Sequence, residues 1–339
     1  MRIAIHKRKG SYSERWIQYC QDQSIDWKEV NCYASDIMQQ LEGCDVLMWH
    51  FSHISTRDFL LAKQVLYAAK ARGMKVFPDF DTVWHFDDKL GQKYLLEAIG
   101  APAIPTWVFY DKAEALRWVR QAAFPKVFKL RCGSSAGNVR LVPNRASAEK
   151  LVRKSFGRGI RIYDPYGSVK ERWRKYRLGM AGFFEVLKGI ARIALPPAYA
   201  RMMGREKGYV YFQEFVAGSG YDIRMYVISG KAFGVKRLVR ENDFRASGSG
   251  YRLADKELID EATIRLSFAL ADKIKAQVMS FDIIHMDGKP RVLELSYGFG
   301  YTQGGPDVCQ GYWDRSLQWH EAKIDATSWM VDLMMEQDS

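Results

Sequence analysis

The spacing of hydrophobic and polar positions changes along this chain. At residues 2–6, 45–49 and 75–77 the apolar runs are short and continuous, which predicts buried strands. Between the last two, residues 58–72 repeat their apolar positions at helical steps and stop before Gly73. Strands alternating with helices predict a small parallel α/β sheet over residues 1–84. No GxGxxG follows the first run, so the usual dinucleotide fingerprint is missing.

Further on, residues 87–99 read as a helix capped by Asp87 or Asp88 and stopped at Gly100, followed by an extended connector over 101–106. Two strand-like runs, 124–130 and 138–142, flank the turn Arg131-Cys132-Gly133-Ser134-Ser135-Ala136-Gly137. Trp173, Tyr176, Met180, Phe183, Phe184, Leu187, Ile190 and Ala194 recur at three- and four-residue steps, an amphipathic helix pattern broken at Pro196-Pro197. From 209 to 301 the chain reads as hairpins, with one helix near 256–276. No internal repeat or low-complexity tract interrupts it.

Two of these hairpins bring charges together. With Ser229-Gly230 as a two-residue turn, Asp222 lies opposite Arg237 and Arg224 opposite Val235. Parity then puts Asp222, Arg224 and Arg237 on one face of the sheet. Asp222 neutralises one arginine and leaves the other for a phosphate or carboxylate. The alternative is a solvated face with a surface salt bridge. In the other hairpin a strict two-residue turn at Asp287-Gly288 would put Asp282 and Glu294 on opposite faces. A three-residue loop, Asp287-Gly288-Lys289, sets them opposite each other, and moving it back by one leaves them diagonal on one face. Two facing carboxylates among Phe281, Ile283, Ile284, Leu293 and Leu295 repel unless a cation lies between them. Oxygen-only ligation of this kind suits Mg²⁺ shared with substrate phosphates. The alternative is that one acid faces solvent.

The small residues at 133–137 let backbone N–H groups approach phosphate oxygens, although no GKS or GKT makes this a P-loop, and taken alone an ordinary turn is the plainer reading. Lys129 stands in an otherwise apolar strand, where it calls for an anionic partner.

Composition narrows the class. The 339 residues are 47% hydrophobic and 14% aromatic, which predicts a packed protein of two or three subdomains. Five scattered cysteines without a CxxC pair read as reduced thiols, and the six histidines carry no zinc spacing. No signal peptide and no spanning helix are expected. The net charge of +12 is concentrated, because residues 150–207 hold 15 Lys/Arg against 4 Asp/Glu. Three readings of that segment stand. Its apolar stripe packs on the neighbouring domain; or Phe183, Phe184, Leu187 and Ile190 lie on an anionic membrane beside Lys170, Arg172, Arg174, Lys175, Arg177, Lys188 and Arg192; or it recruits an anionic substrate. No RNA-binding motif accompanies Trp173 and Tyr176, so nucleic acid is not expected as a partner.

The order of FPKVFKLRCGSSAGNVRLV, QEFV, YDIRMYVISGKAFGVKR, NDFRASGSG and FDIIHMDGKPRVLELS resembles the ATP-grasp superfamily. The resemblance runs from about residue 87 to 301, in the carboxylate–amine ligase branch similar to ribosomal protein S6 glutamate ligase and glutathione synthetase. It implies an α/β fold with an N-terminal Rossmann-like domain at 1–84 and an α+β lid at 85–212 that includes the basic insertion at about 150–207. A C-terminal domain follows at 213–339, with the Mg²⁺ and phosphate site, and ATP lies between the last two. By resemblance, Lys89 and Lys129 hold the nucleotide, Gly133, Ser134, Ser135 and Gly137 close over its phosphates, and Gln213, Glu214, Phe215 and Val216 read the adenine edge. Asp282 and Glu294 are the implied Mg²⁺ ligands, with Ser296 in the third ligand position. Arg237, Arg245 and Arg224 are the implied arginines near the transferred phosphoryl group. The sequence departs from the family at Ser296 and Ser247, where the pattern has Asn, and it lacks an acid after the adenine strand to hold the ribose.

The implied activity is ATP- and Mg²⁺-dependent joining of a carboxylate to an amine through an acyl phosphate, in the cytoplasm or at the inner face of the membrane. The implied partners are small-molecule or glycan carboxylate and amine substrates, an acidic glycan, peptide or lipid-linked molecule among them. Residues 168–195 face an anionic membrane in one of the readings above. Nothing in the sequence fixes an oligomeric state. The competing reading is a non-catalytic nucleotide-binding protein that docks on a membrane or polyanion through its basic helix.

Overall fold

The computed structural model describes residues 1–53, 55–133, 138–177, 179, 181–239, 246, 251–300 and 306–336, the side chains of 198, 199, 203 and 306 excepted. The chain forms two compact units, one of residues 1–86, 91–103 and 218–339 and the other of 87–90 and 104–217.

In the first unit the N-terminal runs become β1 (Ile3–His6), α1 (Tyr12–Asp22), β2 (Trp27–Val30), α2 (Ile37–Gln40), β3 (Val46–Met48), α3 (Thr56–Ala71) and β4 (Lys75–Phe77). The four strands are parallel in the order β2-β1-β3-β4. Sequence reading missed β2 because it is an edge strand in which only Val30 is buried. α3 is capped by Ser55 and ends before Gly73, whose φ of +91° few other residues adopt. After α4 (Phe80–Val83) comes α5 (Lys89–Ala98), where Asp88 Oδ1 accepts from Leu90 N at 3.1 Å.

The second unit is built on β5 (Thr106–Phe109), α6 (Lys112–Gln121), β6 (Lys126–Lys129), β7 (Val139–Val142) and α7 (Arg145–Phe156). It continues through β8 (Ile160–Arg161), α8 (Pro165–Arg177), α9 (Phe183–Ala194), α10 (Ala198–Met203), β9 (Arg205–Glu206) and β10 (Val210–Glu214). An antiparallel sheet runs β5-β10-β6-β7. One face packs Phe109, Phe128 and Phe212 against Val119 of α6 and Val152 of α7. The single helix expected through 173–194 is two helices packed on each other, because the chain turns at Gly179 (φ +68°) and α9 starts after Gly182. Gly189 permits the close approach: a Cβ there would lie 2.7 Å from Arg172 Cδ. Of the three readings of this segment, the one in which the apolar stripe packs on the neighbouring domain does not hold for α9. Of α9 only Val186 and Gly189 are buried, while Phe183, Phe184, Leu187 and Ile190 are exposed. Met180 lies outside the described residues.

The chain then returns to the first unit with β11 (Tyr221–Ile228), β12 (Lys231–Leu238), β13 (Arg252–Leu253), α11 (Glu261–Ile274), β14 (Val278–Met286), β15 (Lys289–Ser296), β16 (Gly311–Trp313), β17 (Trp319–Glu321) and α12 (Ala326–Met335). A seven-stranded sheet runs β15-β14-β11-β12-β16-β17, with β13 beside β12. One face packs Ile223, Met225, Phe281 and Ile283 against Phe268 of α11 and Leu96 of α5. The other packs Tyr226, Ile228, Phe233 and Val278 into the same core as Ile3, Trp16, Val46 and Phe77. Sequence reading separates 1–84 from 213–339, whereas residues 1–86 and 218–339 share this core. Each fully buried large side chain in it contributes about 1.5–3 kcal/mol.

Candidate functional site

Ser229 and Gly230, at φ +45° and +73°, form a two-residue turn that pairs Ile228 with Lys231. Asp222 therefore lies opposite Arg237 and Arg224 opposite Val235, as parity predicts. β14 then sets Asp282 opposite Arg224. Arg237 donates from Nε and Nη2 to both oxygens of Asp222 at 2.6 and 2.7 Å, and Nη2 also reaches Asp282 Oδ2 at 2.8 Å. Arg224 donates from Nε and Nη2 to both oxygens of Asp282 at 2.6 and 2.7 Å. The result is an alternating row of Asp222, Arg237, Asp282 and Arg224. Sequence reading left one arginine free for an external anion. Here each guanidinium has a carboxylate, because the β11–β14 register, invisible in the hairpin alone, brings Asp282 to Arg224.

Asp222, Arg237 and Asp282 are at most 5% exposed. Burial by itself would raise the Asp282 carboxyl, but Arg224 and Arg237 more than offset it and hold the group well below the usual carboxylate range. At Asp222 burial is the larger influence and pushes the carboxyl up, offset only in part by Arg237.

Asp282 and Glu294 face each other by a different route from the one expected. Asp287 and Gly288, at φ +54° and +72°, make a strict two-residue turn that pairs Met286 with Lys289. That register alone would place the two acids on opposite faces. An extra residue, Leu293, bulges between the Ile283–Val292 and Asp282–Glu294 pairs and restores the alignment. Ser296 pairs with Ser280, whose hydroxyl donates to Ser296 O at 2.8 Å. Ser296 Oγ donates to Gly298 O at 2.9 Å. The buried Gln92 of α5 holds the backbone beside Glu294. Its Nε2 donates to Leu295 O at 2.8 Å and its Oε1 accepts from Leu295 N at 3.3 Å.

The donor set fits a hard dication that takes most of its remaining ligands from phosphate and water. Asp282 Oδ1 accepts one charge-assisted bond and keeps a lone pair, Glu294 stands opposite, and the Ser296 oxygen lies on the same face. Among the described residues no group of three or more His, Cys, Asp or Glu side chains forms a metal cage.

The nucleotide residues implied by resemblance lie in the second unit. Lys129 pairs with Tyr211, and Gln213 with Thr106 and Val127. Alternation puts Lys129, Gln213, Tyr211 and Thr106 on the sheet face away from α6 and α7. Both Lys129 and Gln213 are buried, and Gln213 Nε2 donates to Thr106 Oγ1 at 3.1 Å. Glu214, on the other face, accepts from Lys126 Nζ at 2.8 Å on both oxygens, and its N–H donates to Pro105 O. Phe215 and Val216 continue beyond the end of β10. Lys89 is buried and its Nζ donates to Gly133 O at 2.9 Å, while Gly133 N donates to Asp87 Oδ1 at 2.8 Å. Gly133 has φ +116°, and a Cβ would fall 2.3 Å from Asn138 Nδ2, so only glycine fits there. Arg131 braces the same turn through Asp88 at 3.2 Å and Glu206 at 3.3 Å. Ser134, Ser135, Gly137 and Arg245, with Ser247, lie outside the described residues.

Sequence reasoning missed Lys126, Arg131 and Gln92. The alternation in β6 was the available signal for Lys126. Gln92 had none, because its partner is backbone.

Residues 198–304 match the family model of the RimK-like ATP-grasp domain. No curated protein sequence matches the chain. Among solved structures, a RimK domain ATP-grasp protein from Sphaerobacter thermophilus is similar with a TM-score of 0.55 at 13% identity, covering 99% of this chain and 100% of that one. D-alanine–D-alanine ligase from Bacillus anthracis is similar with a TM-score of 0.54 at 14% identity, covering 99% and 96%. The biotin carboxylase domain of 2-oxoglutarate carboxylase from Hydrogenobacter thermophilus, solved with MgADP and bicarbonate, gives 0.60 at 13% identity, covering 99% of this chain and 70% of that one. At these identities the likeness is one of fold. The chain has the ATP-grasp fold, with a RimK-like ATP-grasp domain at residues 198–304.

Proposed function

We propose that this chain is an ATP- and Mg²⁺-dependent ligase that joins a carboxylate to an amine. The observation that carries the reading is the fixed row of Asp222, Arg237, Asp282 and Arg224 on the sheet face where Glu294 and Ser296 also stand. The fold it shares with D-alanine–D-alanine ligase and with a RimK domain protein supports it.

In the first step a substrate carboxylate oxygen attacks the γ-phosphorus of ATP, the bond to the β,γ-bridging oxygen breaks, and ADP leaves an acyl phosphate. In the second an amine nitrogen attacks the acyl carbon, phosphate leaves, the nitrogen loses a proton and an amide forms. Asp282, Glu294 and Ser296 would hold Mg²⁺, which when bound offsets charge on the transferred phosphoryl group. Arg224 and Arg237 are already oriented by carboxylates, so they present their remaining N–H groups without reorganising. Arg245 is assigned to the same task. Lys89, Lys129 and the loop 133–137 are assigned to the nucleotide phosphates, and the Gln213–Val216 stretch to adenine. The substrates are a small-molecule or glycan carboxylate and an amine, and the reaction is assigned to the cytoplasm, where ATP is available.

A second reading, nucleotide binding without turnover, is favoured by two hydrogen-bonding observations. Both Asp282 oxygens accept from arginine, and the Ser296 hydroxyl donates to Gly298 O.

ADP release from Mg-ATP by the purified protein, with fractionated cell extract as substrate source, separates the two. The ligase reading expects release only with extract, falling about 100-fold or more in Glu294→Ala. Nucleotide binding with no stimulating fraction supports the second reading. Absence of nucleotide binding overturns both.

A further inference from the structure

α8 and α9 leave an apolar and basic face uncovered. At about 100° per residue, Ile190, Phe183, Ala194, Leu187, Ala191 and Phe184 occupy an arc of about 120° on α9. Lys188 lies about 40° beyond the Phe184 edge of that arc and Arg192 about 80° beyond it. On α8, Trp173, Tyr166, Arg177 and Lys170 fall within about 60°. Trp173, Tyr176, Phe183, Phe184, Leu187 and Ile190 are between 40% and 84% exposed. The rings of Trp173 and Tyr176 lie 5.7 Å apart and those of Tyr176 and Phe183 5.5 Å, so the apolar surface runs across both helices. Single exposed apolar residues are ordinary, but a contiguous patch on one helical hairpin needs an occupant.

The charge around the patch is specific. Residues 165–195 hold seven Lys/Arg and two Asp/Glu. Both acids are already satisfied, Glu171 by Arg174 and Glu185 by Arg172 and Lys188. Lys170, Lys175, Arg177 and Arg192 have no acid partner among the described residues.

We propose that this hairpin docks in the plane of an anionic lipid bilayer. Phe183, Phe184, Leu187 and Ile190 enter the acyl boundary, Trp173 and Tyr176 sit at headgroup level, and Lys170 and Arg177, on the Trp173 face of α8, meet lipid phosphates. A bilayer accepts an apolar arc without shape complementarity. A second copy of the chain would bring the same unpaired cations face to face. A nucleic acid would use the cations and rings but would leave Leu187 and Ile190 without a partner. No helix among the described residues is long and apolar enough to cross a membrane, so the contact is peripheral. The proposal is independent of the ligase reading.

The test is flotation of the full-length protein with vesicles of phosphatidylcholine alone, or with one quarter phosphatidylglycerol. Binding is expected to rise with phosphatidylglycerol and to fall with added salt. Phe184→Glu with Leu187→Glu lowers the partition coefficient about tenfold or more. Lys170→Glu with Arg177→Glu removes the preference for phosphatidylglycerol, about fivefold or more per position. All four side chains are exposed, so both variants should keep the wild-type circular dichroism and melting temperature. Wild-type protein that does not float with phosphatidylglycerol vesicles overturns the proposal, and so does binding that neither pair changes. A concentration-dependent dimer dispersed by the Phe184 and Leu187 substitutions, without flotation, overturns it in favour of a second copy.

Discussion

On the face formed by β11, β12 and β14, Arg224 and Arg237 are each gripped by a carboxylate through two hydrogen bonds. On α8 and α9, Lys170, Lys175, Arg177 and Arg192 have no acid partner among the described residues, and the same two helices expose Trp173, Phe183, Phe184, Leu187 and Ile190. The same residue types do different work in the two places. In the sheet, charge is a structural part: it is balanced within the fold, screened little by salt, and tied to one register. On the hairpin, charge is surplus, so it creates a potential that only an outside partner can neutralise. The net charge of +12 therefore describes the hairpin and its flanks better than it describes the site.

The largest expected effect tests the balanced side. Arg237→Met leaves Asp222 and Asp282 buried with a cation removed from between them. Urea denaturation should show a loss of about 3–5 kcal/mol. A loss under about 1 kcal/mol would mean that the row relaxes or takes in water, and the comparison would fail.

Acid probes a group outside the row, in the same unit. Burial first, then the nearby Arg8 and His53, pushes His50 down to about 3. Its folded value lies below its unfolded one, so the folded protein keeps the ring neutral while the unfolded chain takes up a proton. The stability it contributes is present above about pH 6.5 and is lost as pH falls toward 3, at about 1.4 kcal/mol per unit. His50→Gln should flatten the pH dependence of unfolding between pH 6.5 and 5, whatever its constant effect. An unchanged slope would assign the acid sensitivity to other groups. Asp282, whose folded value is depressed, adds its own loss only as pH falls below about 4.

The smallest effect belongs to the surplus side. Arg177→Gln should change folding stability by no more than about 0.5 kcal/mol in the same urea experiment, because no acid partner is lost. A larger loss would reveal a structural role for the hairpin charge.

Much of the sheet was legible because alternation and a two-residue turn fix which side chains share a face. Ser229-Gly230 alone was enough to align Asp222 with Arg237. The opposed acids were anticipated through the wrong device: a bulge leaves no composition signal, and Leu293 looks like any strand leucine. Pairing between distant strands was also hidden, so the contact of Arg224 with Asp282 came only with the β11–β14 register. On the hairpin, three- and four-residue periodicity identified helices but could not say whether the apolar side meets protein or not. Gly179 and Gly182 were in plain view as a break, yet the apolar period continues in step across them. Roles assigned by resemblance to Ser134, Ser135, Gly137 and Arg245 rest on sequence alone.

The strand that carries Glu294 is at the end of its sheet, where unpaired backbone groups would normally invite another chain to add itself. Here that side is occupied without a further strand. Val292 N donates to Pro102 O at 2.9 Å, Ala103 makes a single parallel bridge to Val292, and Gln92 takes both backbone groups of Leu295. The segment that holds the backbone beside Glu294 is thus also what covers the edge of the strand. An undocked 92–103 segment would leave the β15 edge open to pairing with another strand, so one glutamine and a short connector guard that edge.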